Sequence, residues 1–501
     1  MKQAVKSLLC ILLIMSLVSC SGGTGRDADS MGKETVPAEP DTSAAETQIP
    51  ETEPPFPASL PAELDFEGRT FTAFVPGAEF RRFYAGDEEI SGEVVNDATI
   101  ARNQAVEERL NITLDQQMQN DIAPYQYKTK VTPLILAGDD TYDLYLGFQY
   151  QMVTMLDQGG FVNQNELEYL DFSQSWWWNG YMDELTLNPE KRYFSIGDYS
   201  MQAVSYTFAL FYNKDLYGSN YGDGEGLYDV VMNGDWTLDA MTELVESVYA
   251  DLNSNGEVDL EDQLGFVNYQ TAASVDPVVY STDISFVNRL DDGRLELNMI
   301  QDDAVTLAEK LNKLFWQPGS YHAINSNEAL ANQFSAGKTL FCGGSLLFSA
   351  ESYRDMESEF GIIPFPKLDE EQKEYRSLVH DAAMLTAVNG SSKNLDIAGA
   401  VMEALCAETS RTVLPAYYET ALKIKYTRDN KSAQMIDLIH DNMRTNFVFA
   451  YNYSLGNIGT IYRSLVTGKS TNYVSVANKT MKASQTKLDE LYDFFMKNTD
   501  Q

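Results

Sequence analysis

Short apolar runs alternate with stretches of helical spacing along the first part of the chain body. Residues 69–75, 111–114 and 142–146 are extended runs, and each predicts a strand. Between the first two runs, apolar residues recur at helical spacing and predict one buried helix face, formed by Val94, Ala98, Ala101 and Ala105. Strands that alternate with helices predict a doubly wound α/β fold built on a parallel sheet.

The start of the chain has a different pattern. Lys2 and Lys6 precede an unbroken apolar run over residues 8–15, which is typical of a secretory signal and too short to span a bilayer. The tripeptide Leu-Val-Ser directly before Cys20 resembles a bacterial lipobox. We therefore predict that residues 1–19 are a lipoprotein signal peptide and that Cys20 carries acyl chains such as palmitate, which anchor the protein to a membrane. The alternative is an ordinary secretory signal with a chance cysteine.

Residues 20–64 predict a disordered tether. Between residues 21 and 63 the chain has seven of its sixteen prolines, and nine acidic residues against two basic ones. Such a segment cannot bury enough apolar surface to fold, and its like charges extend it.

The bulk composition fits a large protein with two lobes. The chain has 501 residues, of which 44% are hydrophobic, and this length exceeds what one compact core holds. Its formal net charge is −38. A surface this acidic repels nucleic acid and anionic lipid, and it suits neutral or cationic ligands and bound cations such as calcium.

Two cysteines remain once Cys10 and Cys20 are assigned to the signal and the lipid site. Cys342 and Cys406 both lie in apolar surroundings, which favours buried free thiols. A single disulfide between them is the alternative.

Three of the five tryptophans are adjacent, at residues 176–178. Three consecutive side chains cannot all face one core from a helix or a strand, so at least one indole is expected to point outward or into a cleft. Indoles stack on the apolar faces of sugar rings, and their N–H groups donate to hydroxyls. The alternative is a structural corner in which all three rings pack inward.

Several motifs follow one another in a recognisable order. An apolar strand runs into Tyr-Asn-Lys-Asp-Leu at residues 212–216, and Gly-Asp-Trp-Thr follows at residues 234–237. Phe-Ser-Ala-Gly-Lys occupies residues 334–338, and Phe-Gly-Ile-Ile-Pro-Phe-Pro-Lys occupies residues 360–367. In this order the motifs resemble those of bacterial extracellular solute-binding proteins of family 1, the sugar-binding type. Residues 415–429 are similar to a subgroup of such lipoproteins in Gram-positive bacteria.

The resemblance implies a two-lobed periplasmic-binding-protein-like fold of type II, with doubly wound sheets joined by hinge crossovers. It implies a monomeric, non-enzymatic lipoprotein on the extracellular face of the cytoplasmic membrane, which delivers a solute to the permease of an ABC importer. An oligosaccharide is the favoured solute, and a peptide, polyamine or other cationic solute is the alternative. The predicted division is 65–212 with 361–400 for the N-terminal lobe, 213–360 for the C-terminal lobe with a calcium loop, and 401–501 for C-terminal helices packed on both lobes.

The candidates for ligand contact are aromatic residues and their polar neighbours. Two of them, Tyr417 and Tyr418, follow from the resemblance, because in this family the segment after the return crossover contributes to the hinge and the cleft rim. The full set is Trp177, Trp178, Asn179, Asp198, Tyr206, Trp236, Tyr417 and Tyr418.

Residues 251–262 have the spacing of a calcium-binding loop. Oxygen-bearing side chains occupy alternate positions, and Gly256 stands where the loop needs a sharp turn. The last position is Asp262 rather than glutamate, whose longer side chain reaches a bidentate contact more easily. A solvated acidic turn is the alternative. The predicted ligands of a structural calcium ion are Asp251, Asn253, Asn255, Glu257, Asp259 and Asp262.

Catalytic patterns are weak in this sequence. The three histidines are scattered, and neither His-Glu-x-x-His nor Gly-x-Ser-x-Gly occurs. Paired carboxylates for glycoside hydrolysis arise by chance in a chain with 74 acidic residues. A surface-anchored glycan-active enzyme or a glycan adhesin is the alternative from another functional class, because the tether, the aromatic residues and the calcium loop fit it equally well.

Overall fold

A computed structural model gives the fold of residues 60–87, 90, 92–120, 122–269, 272–323, 327–346, 352–353, 355–418 and 430–497. The predicted signal peptide, Cys20 and residues 20–59 of the predicted tether lie outside these described residues.

The body of the chain mixes strands and helices throughout. The strands are β1 (Arg69–Pro76), β2 (Ile112–Gln119), β3 (Leu144–Phe148), β4 (Phe208–Asn213), β5 (Leu264–Tyr269), β6 (Val287–Arg289), β7 (Leu295–Leu297), β8 (Ser320–Ala323), β9 (Thr339–Ser345), β10 (Phe360–Ile363), β11 (Ser377–Leu378), β12 (Met384–Val388) and β13 (Met443–Arg444). The α-helices are α1 (Arg81–Tyr84), α2 (Val94–Leu110), α3 (Tyr127–Leu136), α4 (Gln149–Met152), α5 (Asn179–Leu185), α6 (Met201–Ser205), α7 (Lys214–Tyr221), α8 (Gly226–Met232), α9 (Leu238–Ser247), α10 (Ala272–Tyr280), α11 (Asp302–Trp316), α12 (Asn327–Ser335), α13 (Leu395–Glu408), α14 (Leu414–Ala416), α15 (Asn430–Asp441), α16 (Phe447–Ala450), α17 (Ile461–Thr467) and α18 (Tyr473–Lys497).

The first sheet has the strand order β12-β3-β1-β2. β1 is parallel to β2 and to β3, and β12 is antiparallel to β3. The three strands expected from the apolar runs therefore form the parallel part of this sheet, as predicted. β12 comes from more than 230 residues further along the chain, so local patterning could not place it beside β3.

The buried face of α2 differs from the predicted face, which was wrong by one position. Its buried side chains include Val95, Thr99, Arg102 and Val106. Val94, by contrast, is exposed. The guanidinium of Arg102 is buried and donates hydrogen bonds to the carbonyl oxygens of Phe83 and Tyr84. Arginine is a polar residue, so the pattern of apolar positions did not assign Arg102 to the buried face and assigned the neighbouring alanines to it instead.

The second sheet has the order β10-β4-β9-β5-β8. β4 is antiparallel to β9 and β10, whereas β5 is parallel to β9 and β8. The predicted division put residues 208–212 in the N-terminal lobe and began the return at residue 361, but β4 and β10 both lie in this second sheet. All six side chains of β4 are buried, and a strand that is buried on both faces carries no local sign of which sheet it joins.

Two neighbouring crossovers join the sheets, as the resemblance implies. The first leads from α6 through Tyr206 and Thr207 into β4, and the second leads from β10 through β11 to β12. The amide of His380 donates to the carbonyl oxygen of Tyr206 at 3.1 Å. Thr207 pairs with Val379 in an isolated antiparallel bridge. The crossovers are therefore hydrogen-bonded to each other where the two sheets approach.

The long last helix, α18, contacts both parts of the body. The side chain of Gln485 accepts a hydrogen bond from the amide of Leu297, in the β6–β7 hairpin. Near the end of the helix, the ammonium group of Lys191 donates to the carbonyl oxygen of Phe495 at 2.6 Å. Among the described helices, none combines the length and apolar character needed to cross a bilayer.

Candidate functional site

Side chains from distant parts of the chain meet beside the two crossovers. Residues 78–81 follow the carboxyl end of β1, and residues 149–152 follow that of β3, and both segments lie here. In open α/β sheets, ligands bind beyond the carboxyl ends of the strands. We call this place the crossover site, and its residues are Phe80, Tyr150, Tyr206, Asp276, His380, Asp381, Tyr453 and Arg463.

Tyr206 is the predicted ligand residue that the fold places here. Its ring stands edge-on to Phe80, with centroids 5.8 Å apart, and lies 5.9 Å from the imidazole of His380. Burial raises the pKa of Tyr206, so its phenol stays protonated and able to donate a hydrogen bond. The side chain of His380 is 36% exposed. The hinge thus presents an imidazole and a half-buried phenol side by side.

Tyr150 and Tyr453 form a second aromatic pair. Their ring centroids are 5.8 Å apart, and the backbone amide of Tyr150 donates to the carbonyl oxygen of Asp381 at 3.0 Å. Burial, with a smaller effect from Asp381, raises the pKa of Tyr150 to about 12. Tyr453 is 54% exposed. An aromatic surface therefore faces solvent within reach of a carboxylate.

Asp276 and Arg463 complete the site with a bidentate ion pair. Arg463 Nε donates to Asp276 Oδ1 at 2.8 Å, and its terminal nitrogen contacts Oδ2. The carboxylate of Asp276 is 2% exposed, while Arg463 is 30% exposed. Burial raises the pKa of Asp276, the hydrogen bonds from Arg463 oppose that effect, and the nearby Asp381 adds to it. The pair holds a guanidinium at a fixed position with part of its surface open to solvent.

This arrangement suits a ligand with many hydroxyl groups. Rings of Tyr150, Tyr206 and Tyr453 offer flat apolar faces, and carboxylate, phenol and guanidinium groups offer acceptors and donors around them. Sites for small polar ligands combine these two features, with aromatic walls and a few fixed polar groups.

The adjacent tryptophans lie elsewhere, in a closed group. Trp177 is 5% exposed, and its indole N–H donates to the carboxylate of the fully buried Glu403 at 2.9 Å. The indole N–H of Trp178 donates to Asp198 at 2.8 Å. The indole N–H groups of both residues therefore donate to protein carboxylates and not to a ligand hydroxyl.

Three predicted residues meet around a histidine that the sequence did not single out. The imidazole of His440 lies 5.1 Å from the ring of Tyr418 and 6.3 Å from that of Trp178. Burial raises the pKa of Asp198, which is 4% exposed. We call this group the tryptophan cluster, and its residues are Trp177, Trp178, Asp198, Glu403, Tyr418 and His440.

The remaining predicted residues also contact protein groups in this conformation. Asn179 donates from its side chain to the carbonyl oxygen of Phe172 at 2.7 Å. Trp236 is fully buried, and its indole donates to the carbonyl oxygen of Pro364 at 3.0 Å. Tyr417 is 1% exposed. Ligand contact by the residues outside the crossover site stays a prediction.

Sequence reasoning missed most of the crossover site, although one signal was available. Tyr150 follows a predicted strand by four residues, and the segment after the carboxyl end of a parallel strand is where ligands bind. Asp276 and Asp381 had no such signal, because each is recognisable only once its distant neighbours are known.

The predicted calcium loop folds back on itself. Gly256 has φ of +75°, so the sharp turn expected at this position is confirmed. The carboxylate of Asp262 is fully buried and accepts hydrogen bonds from the amides of Leu252 and Asp259, each at 3.1 Å. The amide nitrogens of Asn253 and Asn255 donate to Asp259 at 3.0 and 2.7 Å.

Most of the predicted ligands are therefore linked to one another or to the loop backbone, since Asp251 also accepts from the amide of Gly256 at 2.9 Å. Rotating the two asparagine amides by half a turn would bring their oxygens to the side of Asp259. Within the described residues, no group of three or more His, Cys, Asp or Glu side chains is arranged to hold a metal ion. Calcium binding stays a prediction.

Cys342 and Cys406 are free and buried. Burial raises the pKa of the Cys342 thiol to about 11. Both behave as small apolar side chains within the core, which is the favoured one of the two sequence interpretations.

Comparison with known proteins places the fold among solved structures. No protein-family model matches the chain, and no curated protein matches it. A cyclo/maltodextrin-binding protein complexed with maltotetraose matches with a TM-score of 0.53 and 14% identity, over 87% of this chain and 99% of that one. The cyclic α-maltosyl-1,6-maltose binding protein from Arthrobacter globiformis matches with a TM-score of 0.55 and 12% identity, over 85% and 99%.

A third match is the galacto-N-biose/lacto-N-biose I-binding protein of the ABC transporter from Bifidobacterium longum, in complex with lacto-N-biose. Its TM-score is 0.57 at 11% identity, over 85% of this chain and 98% of that one. Each of these matches extends over nearly the whole of the solved chain. The chain therefore has the two-lobed type II fold of the solute-binding proteins of ABC transporters.

Proposed function

We propose that this protein captures an oligosaccharide outside the cell and delivers it to the permease of an ABC importer. The observation that carries the proposal is the crossover site, where the paired rings of Tyr150 and Tyr453 stand beside the Asp276–Arg463 ion pair at the hinge. A ligand held there would contact groups from both lobes. It would therefore favour the closed form, and closure is the signal that a permease can read.

An uncharged sugar fits this site better than an ionic ligand. The carboxylate of Asp276 is already paired with Arg463, and the net charge of −38 disfavours anions. The solved structures that share the fold include complexes with maltotetraose and with lacto-N-biose. A peptide or a polyamine is the alternative solute.

The anchor rests on the start of the chain. A secretory signal followed by Cys20 and an acidic, proline-rich tether would hold the two-lobed body on the extracellular face of the membrane. Confinement beside the permease raises the local concentration of loaded protein, which needs no added contact between the two proteins. A monomer is sufficient for this role.

A glycan-active enzyme is the second candidate, and one observation favours it. Asp276 and Asp381 are close enough for the charge of one to raise the pKa of the other. Glycoside hydrolysis uses two carboxyl groups, one of them with a raised pKa, on either side of the scissile bond.

One experiment separates the two functions. The mature protein is mixed with neutral oligosaccharides, its melting temperature is recorded, and the sugars are recovered for mass spectrometry. Stabilisation by a sugar that stays intact supports the binding protein. Cleavage of that sugar would support the enzyme, and stabilisation by no sugar at all would overturn both.

We also propose that residues 251–262 bind a structural calcium ion. Calcium at 100 times its dissociation constant should stabilise the folded state by about 2.7 kcal/mol. Chelator should lower the melting temperature of the native protein and leave Asp259→Asn unchanged. Glu243→Gln, an exposed acid on α9 outside the loop, is the matched control and should keep the chelator response. If chelator does not change the melting temperature of the native protein, the proposal is contradicted.

A further inference from the structure

A cavity lies beside Tyr453, a residue of the crossover site. Its volume is about 600 Å³, within the roughly 300–1,000 Å³ typical of small-molecule sites. One wall comes from α3 and from residues 153–158, which follow α4. The opposite wall comes from residues 453–454 and the last turns of α18. The lining residues are Lys128, Val153, Thr154, Asp157, Tyr453, Ser454, Lys487, Glu490, Leu491 and Phe494.

Tyr453 connects this cavity to the crossover site. Its ring contacts Tyr150, a crossover-site residue, and also lines the cavity. The ring is more than half exposed. A linear ligand that leaves the crossover site past Tyr150 would therefore meet Tyr453 next and enter the cavity.

The lining of the cavity indicates the chemistry of its occupant. Val153, Leu491 and Phe494 form an apolar floor, which suits the carbon-bearing faces of sugar rings. Lys128 and Lys487 balance Asp157 and Glu490 in formal charge, so the cavity favours neither an anion nor a cation.

The polar groups of the wall are partly pre-positioned. The ammonium group of Lys128 donates to the carbonyl oxygen of Thr154 at 2.6 Å, which fixes one donor at the edge of the cavity. An ammonium group has three donors in all, so further hydrogen bonds to hydroxyls are open to it.

We propose that this cavity is a second saccharide subsite, which holds the far end of a neutral oligosaccharide whose near end occupies the crossover site. The inference rests on the proposed function and deepens it, because it makes chain length the property that the protein selects. A disaccharide fills the crossover site alone, whereas a longer chain gains the contacts of the cavity.

The test measures affinity against chain length by isothermal titration calorimetry on the mature chain. The probes are malto-, cello-, xylo- and mannooligosaccharides of two to six units. For the series that binds, affinity should rise by about 10-fold between the shortest and the longest member. Ser454→Trp and Asp157→Trp fill the cavity from opposite walls, and each should remove that gain while it leaves the disaccharide affinity within about 2-fold.

Ser475→Trp is the matched control, since Ser475 is exposed on α18 outside the cavity. It should retain the full gain, and thermal melts show whether each variant is folded. Binding without a chain-length gain, or a gain that survives both cavity variants, overturns the second subsite and leaves the proposed function standing. Failure of every probe to bind the native protein overturns the proposed function and the subsite with it.

Discussion

The tryptophan cluster and the crossover site contain the same kinds of residue in opposite states. In the cluster, the indoles of Trp177 and Trp178 donate to buried carboxylates, and Trp177 is buried while Trp178 is partly buried. In the crossover site, Tyr453 is largely exposed and Tyr150 is half-buried beside it. Residue type alone therefore does not separate a core from a ligand surface.

The two sites differ in whether the protein itself supplies hydrogen-bond partners to the aromatic side chains. A buried indole N–H needs an acceptor, and Glu403 and Asp198 provide one from distant segments. The exposed ring of Tyr453 is open to solvent and accessible to a ligand. Substitutions at three positions test this contrast.

Trp177→Ala should produce the largest effect, on stability. Removing a buried tryptophan leaves a cavity and takes away one of the donors to the buried carboxylate of Glu403, so the free energy of unfolding should fall by about 3–5 kcal/mol. Denaturant unfolding followed by circular dichroism measures the loss.

Tyr125→Ala is the control for this loss. Tyr125 is a 74% exposed aromatic residue of the same lobe, and its removal should change the free energy by less than about 0.5 kcal/mol. Saccharide affinity of the folded fraction should be unchanged in Trp177→Ala. A variant that keeps its stability and loses affinity would mean that Trp177 contacts the ligand, as its sequence position predicts.

Tyr150→Ala should produce the next largest effect, on binding. Loss of a stacking ring should weaken the saccharide found in the melting experiment by about 10-fold, which equals about 1.4 kcal/mol. Tyr150 is half-buried, so the cost to stability should be smaller than for Trp177→Ala. Titration calorimetry measures the affinity.

Tyr150→Phe separates the ring from its hydroxyl. If stacking carries the binding, the phenylalanine variant keeps most of the affinity that alanine loses. Equal losses in the two variants would assign the contribution to the hydroxyl instead. An alanine variant with native affinity would remove Tyr150 from the ligand site.

The parts of the fold that depend on local pattern were predictable from sequence. The runs at 69–75 and 142–146 became adjacent parallel strands, and Gly256 forms the sharp turn expected at its position, with φ of +75°. In each case the physical cause lies within a few residues of the effect.

Of the crossover site, only the residue beside a recognisable motif could be predicted from the sequence. Tyr206 stood next to a recognisable crossover, and it does lie in the crossover site. Asp276 and Arg463 are 187 residues apart, and the sequence around neither residue indicates that the two form an ion pair. The tryptophans attracted attention as rare and adjacent residues, but the carboxylate of Glu403, 226 residues further along, decides that Trp177 is core.

Asp198→Asn should produce the smallest effect, and its pH dependence tests the closed state of the cluster. Burial raises the pKa of Asp198, so the folded protein holds this proton more tightly than the unfolded chain does. The stability that this proton contributes is complete below the ordinary pKa near 3.8 and is lost as the pH rises through the raised value. Asparagine cannot ionise, so the variant escapes that loss.

The variant should therefore melt at a higher temperature than the native protein near neutral pH, and the difference should shrink as the pH falls toward 4. The fold should persist, because the substitution keeps the side-chain shape and its amide oxygen can still accept from the indole of Trp178. Melting curves from pH 4 to pH 8 measure the trend, with the exposed Asp291→Asn as a control that should show none. A difference that grows on acidification would mean that the carboxylate is stabilised as an anion, and the cluster would then be open to solvent or to a cationic ligand.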